Sequence, residues 1–305
     1  MTFHNIPFAE GEAHLDWMEL TRAIAKGHNR PKAQVEDTFI YRGTDTLLSR
    51  AAWIDGMGLA VKSATVFPGN RDHGKPMIGG AVSLFSDTDG SLEAVIDFHL
   101  ITKWKTAGDS LLAATRLARP DSETILIVGA GTVGHSLKQA YSAAFPEARF
   151  VVWNRTPAGA DTFAAQYSNV DVATDLETAV MSADIITCAT MSTAPLIQGD
   201  WLQPGQHLDL IGAYRPDMRE ADDVALLRSR VFVDSYDTTL GHIGEIKIPL
   251  ESGVIDRDRI VADYYDLDQF QRQTPQDITM FKNGGGAHMD LMVSKYVLDQ
   301  WVAAT

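Results

Sequence analysis

Two textures of hydrophobicity divide this chain. In roughly the first 120 residues, apolar positions come in short runs: Thr38–Tyr41, Leu59–Phe67 and Ala81–Phe85, then, after Ser86-Asp87-Thr88-Asp89-Gly90, Leu92–Phe98. Strands joined by Asp/Gly turns predict a mainly antiparallel, hairpin-rich sheet. A helix precedes them over Ala13–Lys26, with Leu15, Met18, Leu20, Ile24 and Ala25 on a broad apolar face that stops at Gly27. Another helix over Leu100–Leu117 closes the region near Arg119-Pro120, since the residue before a proline disfavours helical backbone.

After Pro120-Asp121-Ser122 the pattern changes. Short, continuous apolar runs at Thr124–Val128, Phe150–Trp153, Val170–Val172, Asp184–Cys188, His207–Ile211 and Val231–Val233 alternate with helical patterns at Val133–Phe145, Ala158–Gln166, Leu176–Ser182 and Ala221–Arg228. Such alternation marks a parallel sheet covered on both faces. The expected fold class is therefore α/β: a Rossmann doubly wound parallel sheet over residues 121–286, plus an α+β domain over residues 1–120 and 287–305. Gly284-Gly285-Gly286 reads as a hinge that lets a last helix, Ala287–Val302, cross back to the first domain.

Composition narrows the function classes. A formal net charge of −14 over 305 residues argues against nucleic acid, whose phosphates need clustered Lys and Arg. The single cysteine, Cys188, excludes an internal disulfide and reads as a small buried hydrophobe; no Cys/His cluster has zinc spacing, so no metal is expected. No apolar run is long enough to span a membrane, and Met1–Glu10 lacks the basic and apolar stretches of a signal peptide. A cytoplasmic protein is expected.

The segment with the most chemistry is Gly129-Ala130-Gly131-Thr132-Val133-Gly134, set between an apolar strand and a helix as a dinucleotide fingerprint requires. Gly129 permits the tight turn, Gly131 the close approach of a pyrophosphate, and Gly134 the packing of helix on sheet. An NAD-selective site usually carries a carboxylate about 20 residues further on. This chain has Asn154-Arg155-Thr156 there. An arginine beside a hydroxyl suits a 2′-phosphate, so NADP(H) is preferred; NAD(H) remains open if Arg155 is simply a solvated residue. Thr190, Ser192 and Gly212 follow parallel strands at their C-terminal ends, where cofactor contacts collect.

The sequence also resembles the ornithine cyclodeaminase/mu-crystallin family from about Thr46 to Val297. The marks are Val61-Lys62 with Phe67-Pro68-Gly69-Asn70, Ile101-Thr102-Lys103-Trp104-Lys105-Thr106-Ala107, Val128–Gly134, Trp153-Asn154-Arg155-Thr156, the run Gly212 to Glu220, Asp234-Ser235 and Thr279-Met280-Phe281-Lys282. The resemblance implies a homodimer whose first domain binds substrate and dimerises, while the Rossmann domain holds the nicotinamide. It implies an enzyme that reduces a small 2-imino acid (ketimine) to an L-amino acid, or runs the reverse dehydrogenation. Two alternatives stay open: an ornithine cyclodeaminase that recycles its NAD, and a crystallin-like protein that binds NADPH and a ligand without turnover.

Such a substrate needs cations for its carboxylate and a proton donor near its nitrogen. Lys62 matches the family's substrate-domain lysine; its neighbours Ala60, Val61 and Ala64 suit a partly buried strand, where a lysine either contacts a carboxylate, transfers a proton or snorkels to solvent. Lys105 stands where many relatives have a carboxylate-clamping arginine, and offers a point charge in place of a fork. Arg50, and less so Arg42, are the compensating candidates; Asn70 and Thr106 are candidates to orient substrate or lysine. Tyr214 replaces the aspartate that cyclodeaminases carry after this strand, which disfavours deamination; the ring alternatively packs on nicotinamide without a chemical role. His242 and Glu245 read as a surface glycine-rich loop, with a proton-shuttling pair as the alternative.

Overall fold

The computed structural model describes residues 3–305. They form two compact units. One comprises the described residues up to Lys105 with Gly285–Thr305; the other is Thr106–Gly284. The division at Lys105/Thr106 falls inside a helix, where the sequence reading put it near residue 120. Sequence shows a helix as one object, but its ends have different neighbours: Trp104 stacks on Trp17 in the first unit, while the Asp109 carbonyl accepts Tyr264 Oη–H in the second.

The hairpin unit starts with β1 (His4–Ile6), α1 (Phe8–Glu12) and α2 (Trp17–His28). Helix α2 begins later than Ala13 because Asp16 caps it, accepting the Glu19 N–H at 2.8 Å. Then come β2 (Gln34–Arg42), β3 (Asp45–Ile54), β4 (Gly58–Val66), β5 (Ile78–Phe85) and β6 (Leu92–Asp97). The sheet order is β1-β6-β5-β4-β3-β2, antiparallel except for β1 with β6. Strand β3 escaped the sequence reading because most of its positions are half-buried, so polarity does not alternate along it. Helix α3 (Phe98–Leu117) starts where Asp97 accepts the His99 and Leu100 N–H groups, and runs from this unit into the next.

The second unit holds β7 (Thr124–Val128), α4 (Thr132–Ala144), β8 (Arg149–Trp153), α5 (Pro157–Ala164), β9 (Val170–Val172), α6 (Leu176–Ser182), β10 (Ile185–Cys188), β11 (His207–Leu210), α7 (Asp223–Arg228), β12 (Ser229–Val233), α8 (Tyr236–Thr239), α9 (Gly244–Glu251), β13 (Ile260–Ala262) and β14 (Ile278–Lys282). All its strands are parallel, in the order β13-β12-β14-β11-β10-β7-β8-β9. The order reverses between β7 and β10, where an open α/β sheet forms its ligand crevice. The central strands β7, β10, β11 and β14 are buried almost throughout, which explains their continuous apolar runs. Strands β13 and β14 lie outside the alternating runs read from the sequence. Cys188 is buried in β10 as expected, and burial pushes its thiol pKa up. The expected surface loop at His242–Glu245 needs correcting: His242 is exposed, but Glu245 opens α9 and is fully buried.

The last helix, α10 (Ala287–Ala304), is buried on all sides from Ala287 to Ser294, polar His288, Asp290 and Ser294 included. It packs across β3 and β4 and against α2, within the hairpin unit. No helix of the described residues is long and apolar enough to cross a membrane, and among them no group of His, Cys, Asp or Glu is arranged to hold a metal ion.

Candidate active site

The antiparallel register aligns Asp37 on β2, Arg50 on β3 and Lys62 on β4 as direct cross-strand neighbours. Two cations side by side repel. Each therefore has a carboxylate. Arg50 donates through Nε to both Asp37 oxygens at 3.1 Å, and Lys62 Nζ lies 2.9 Å from Asp290 Oδ1. Asp290 comes from the first turn of α10, which brings it over the sheet. Lys105, from α3, lies 3.8 Å from the same Asp290 oxygen and donates to the Gly285 carbonyl at 2.5 Å. Arg50 donates to that carbonyl too, at 3.0 Å. Lys62 also sits 4.8 Å above the Phe98 ring, a cation–π contact.

Lys62 and Lys105 are each 6% exposed and Asp290 only 1%. Burial raises the Asp290 pKa, but Lys105, Lys62 and Arg50 outweigh it and hold the carboxyl below its ordinary range. Among the described ion pairs, the buried Lys62 and Lys105 share one carboxylate, Asp290, beside the Arg50–Asp37 pair. Asp290 Oδ2 is buried without a hydrogen bond. A buried site where two ammonium groups share one carboxylate is suited to an organic carboxylate.

In the second unit the fingerprint loop has the geometry its residues demand. Gly129 has φ 111°, open to glycine but strained for other residues. A Cβ on Gly134 would fall 2.4 Å from the Gly129 carbonyl oxygen, so only glycine lets α4 pack here. A Cβ on Gly131 would meet nothing within 4 Å, so there the missing side chain leaves open space, not room for protein. Gly131 is the N-cap of α4, and the first N–H groups of that helix, from Thr132 and Val133, have no partners within the helix itself. Open space over a helix N-terminus fits a pyrophosphate. Asn154 braces the loop: its Oδ1 accepts the Ala130 N–H at 3.2 Å and its Nδ2 donates to the Thr156 carbonyl. Arg155 and Thr156 are exposed at the C-terminal end of β8.

The chain matches the ornithine cyclodeaminase/mu-crystallin profile over residues 51–305. It belongs to that family. A Delta(1)-pyrroline-2-carboxylate reductase of Paracoccus denitrificans is 45% identical over 300 residues, covering 96% of this chain and 95% of its own. Ketimine reductase mu-crystallin of Rattus norvegicus is 34% identical over 245 residues, covering 80% and 76%. Among solved structures, the Thermococcus litoralis Delta(1)-pyrroline-2-carboxylate reductase in complex with NADH and L-proline has a TM-score of 0.89 at 25% identity, covering 98% of each chain.

Of the candidates in this family member, Arg50, Lys62 and Lys105 come together. Arg42 does not. It is exposed at the β2–β3 turn and pairs with Asp45, five ladder positions, roughly 17 Å, from Arg50. Asn70 ties its own turn by donating to the Pro76 carbonyl at 2.7 Å. Thr106 belongs to the second unit, and its carbonyl accepts Asn283 Nδ2. Tyr214 is 59% exposed in the loop after β11, beside Arg215. Thr190 and Gly212 follow β10 and β11 and touch closely: a Cβ on Gly212 would fall 1.8 Å from the Thr190 carbonyl oxygen.

The sequence reading missed Asp290 and Glu220. Asp290 had a signal, a lone carboxylate in Ala287–Val293, a run otherwise apolar except for His288, where an unpaired charge is not tolerated. Glu220 had only its place at the end of the run Gly212 to Glu220 that carries the family resemblance.

Proposed function

We propose that this chain is an NADPH-preferring reductase that turns a small cyclic 2-imino acid into the corresponding L-amino acid. The observation that carries the reading is the buried pair Lys62 and Lys105 sharing the single carboxylate of Asp290, with Arg50 beside them. Two ammonium groups on one carboxylate suit one substrate carboxylate. Lys105 and Arg50 hold that carboxylate, and the ammonium of Lys62 donates a proton at the imine nitrogen. Asp290 offsets the cost of burying these ammonium groups. When bound, the nicotinamide supplies the hydride. The new C–H bond forms at C2, the C=N π pair moves to nitrogen, and nitrogen takes up the proton, so one NADPH is oxidised per amine formed. Gly129, Gly131, Thr132, Val133 and Gly134 hold the pyrophosphate; Asn154, Arg155 and Thr156 receive the 2′-phosphate; Thr190 and Gly212 line the remaining length.

The P. denitrificans and rat relatives, named for pyrroline-2-carboxylate and ketimine reduction, support this reading over the cyclodeaminase one. So does Tyr214, a phenol where deamination needs a carboxylate. The test is NADPH oxidation with pyrroline-2-carboxylate and piperideine-2-carboxylate, against ornithine as the deamination substrate. Turnover with the cyclic imines and none with ornithine is expected. Ammonia release from ornithine without net NADPH consumption overturns the reading.

The working species is a homodimer. Strand β2 is exposed along its whole length, and Phe39, Ile40 and Tyr41 are at least half exposed on it, with Phe39 and Tyr41 stacked. A surface of this kind marks an interface. Light scattering of wild type against Ile40→Glu checks it, with a shift toward monomer expected.

A further inference from the structure

We propose that Glu220 is the positioning residue of the dinucleotide site: its carboxylate fastens the loops leaving β10 and β11 to each other and so fixes the sheet edge on which the cofactor binds. This rests on the dinucleotide reading above. Glu220 is fully buried and touches neither the fingerprint loop nor the lysine cluster through any of its four bonds. Its Oε1 accepts the Thr190 N–H at 2.7 Å and the Thr190 hydroxyl at 2.9 Å. Its Oε2 accepts the Gly212 N–H at 2.6 Å and the Ala213 N–H at 3.2 Å. Thus one side chain takes two donors from each exit loop.

The close approach of those loops makes this possible. Gly212 lies against the Thr190 backbone at a separation only glycine tolerates. The contact extends to the fingerprint loop, since a Cβ on Gly129 would fall 2.9 Å from the Ala189 carbonyl oxygen. Gly129, Ala189-Thr190 and Gly212 therefore form a continuous backbone surface at the ends of adjacent strands β7, β10 and β11. Glu220 is itself held: Glu245 Oε2 accepts its N–H at 2.7 Å, Glu245 Oε1 accepts the Ala221 N–H at 3.0 Å, and the Glu220 carbonyl accepts the Leu196 and Ile197 N–H groups. Lys282, fully buried on β14, supplies positive charge to Glu245. Closing two loops with apolar side chains would cost less than burying a carboxylate. What the carboxylate adds is fixed backbone positions, the kind of preorganised support a binding site needs.

All four partners are donors, so Glu220→Gln turns its amide N–H₂ onto two of them while keeping the shape. The experiment titrates NADPH fluorescence against purified wild type and E220Q, then measures steady-state kinetics with pyrroline-2-carboxylate. The Kd and KM for NADPH should rise about tenfold to hundredfold, as expected for losing charge-assisted bonds. The KM for the imino acid, and kcat at saturating NADPH, should change by less than about threefold. A purely architectural Glu220 would lower the melting temperature and leave NADPH affinity of the folded protein unchanged, which overturns the proposal. If E220Q does not fold, Thr190→Val, which deletes one donor, replaces it. A severalfold weaker Kd for NADPH in T190V supports the clamp, and wild-type affinity in T190V overturns it. Failure of the reductase reading shows differently, as wild-type NADPH binding without imine turnover.

Discussion

The hairpin unit and the parallel-sheet unit each bury a charged cluster, and the two are opposites. In the first, the buried Lys62 and Lys105 share the single buried carboxylate of Asp290, with half-buried Arg50 and exposed Asp37 beside them. In the second, Glu220 and Glu245 are fully buried, and their direct partners are backbone N–H groups and one hydroxyl. Two ammonium groups sharing one carboxylate suit a carboxylate ligand; carboxylates satisfied by backbone dipoles await nothing and hold loops still. On the proposed function, the first cluster offers chemistry to a substrate and the second offers geometry to a cofactor site built from backbone.

The largest effect should follow from breaking the first cluster's balance. Asp290→Asn removes the carboxylate that Lys62 and Lys105 share and should destabilise the protein by about 3–5 kcal/mol. Adding Lys62→Met removes one of the two ammonium charges and should recover part of that loss, read as the urea midpoint of single against double variant. If D290N is as stable as wild type, the lysines do not depend on Asp290 and the charge ledger is wrong.

Next in size is Gly131→Val, which probes the backbone-built site. The space above Gly131 is free of protein, so the variant should fold with less than about 1 kcal/mol lost at the helix cap. Its NADPH affinity should fall about a hundredfold, ~2.7 kcal/mol. Gly134→Ala makes the useful contrast, because its Cβ meets the Gly129 carbonyl and should cost stability as well as binding. Fluorescence titration and thermal melts of both variants separate the two roles.

These clusters also explain what sequence could tell. The fingerprint glycines are legible because each obeys a local backbone rule and sits in a short, contiguous run. Lys62 is legible because a charged residue in an apolar stretch needs a reason, and Lys105 because it stands at a position marked by the family resemblance. The partners are harder: Asp290 is 228 residues from Lys62, and only the packing of α10 on β3 and β4 joins them. Arg50 over Arg42 was decided by strand register, which depends on β3, a strand whose half-buried residues hide their period. Glu245 read as a surface loop because glycines flank it, whereas Gly244 is packed against the Pro216 and Met218 carbonyls and brings the carboxylate inward. Local rules reach turns and periods; long-range pairing of charges is set by tertiary structure.

The two clusters should respond to pH in opposite senses. Asp290 is held below its ordinary value of 3.8, so its contribution is present above that value and disappears as pH falls through its folded pKa. Burial pushes Glu245 from 4.5 up to about 7, with Lys282 pulling it down and Glu220 pushing it further up. Between 4.5 and about 7 the unfolded chain therefore releases this proton while the folded chain retains it, and stability falls as pH rises. Glu245→Gln cannot titrate and should flatten that decline by on the order of 2 kcal/mol, measured as urea stability across the same window. An equally steep decline in the variant would assign the slope elsewhere, with Asp209, raised by burial to about 6, the next group to replace.

The smallest effect concerns which nucleotide the backbone-built site prefers. Arg155 is exposed, and nothing in the fingerprint loop depends on it; the loop is braced by Asn154 instead. Arg155→Gln should therefore leave stability and NADH binding as they are. It should raise the KM for NADPH about tenfold, ~1.4 kcal/mol, the size expected for a charge-assisted contact to phosphate at a solvent-exposed site. That loss should shrink in high salt, because exposed charges are screened. An equal change for NADH and NADPH would mean that Arg155 acts on the loop itself. No change for either would mean that the 2′-phosphate is not read at this position. Either result would remove the one feature by which side-chain charge, rather than backbone, shapes binding in the parallel-sheet unit.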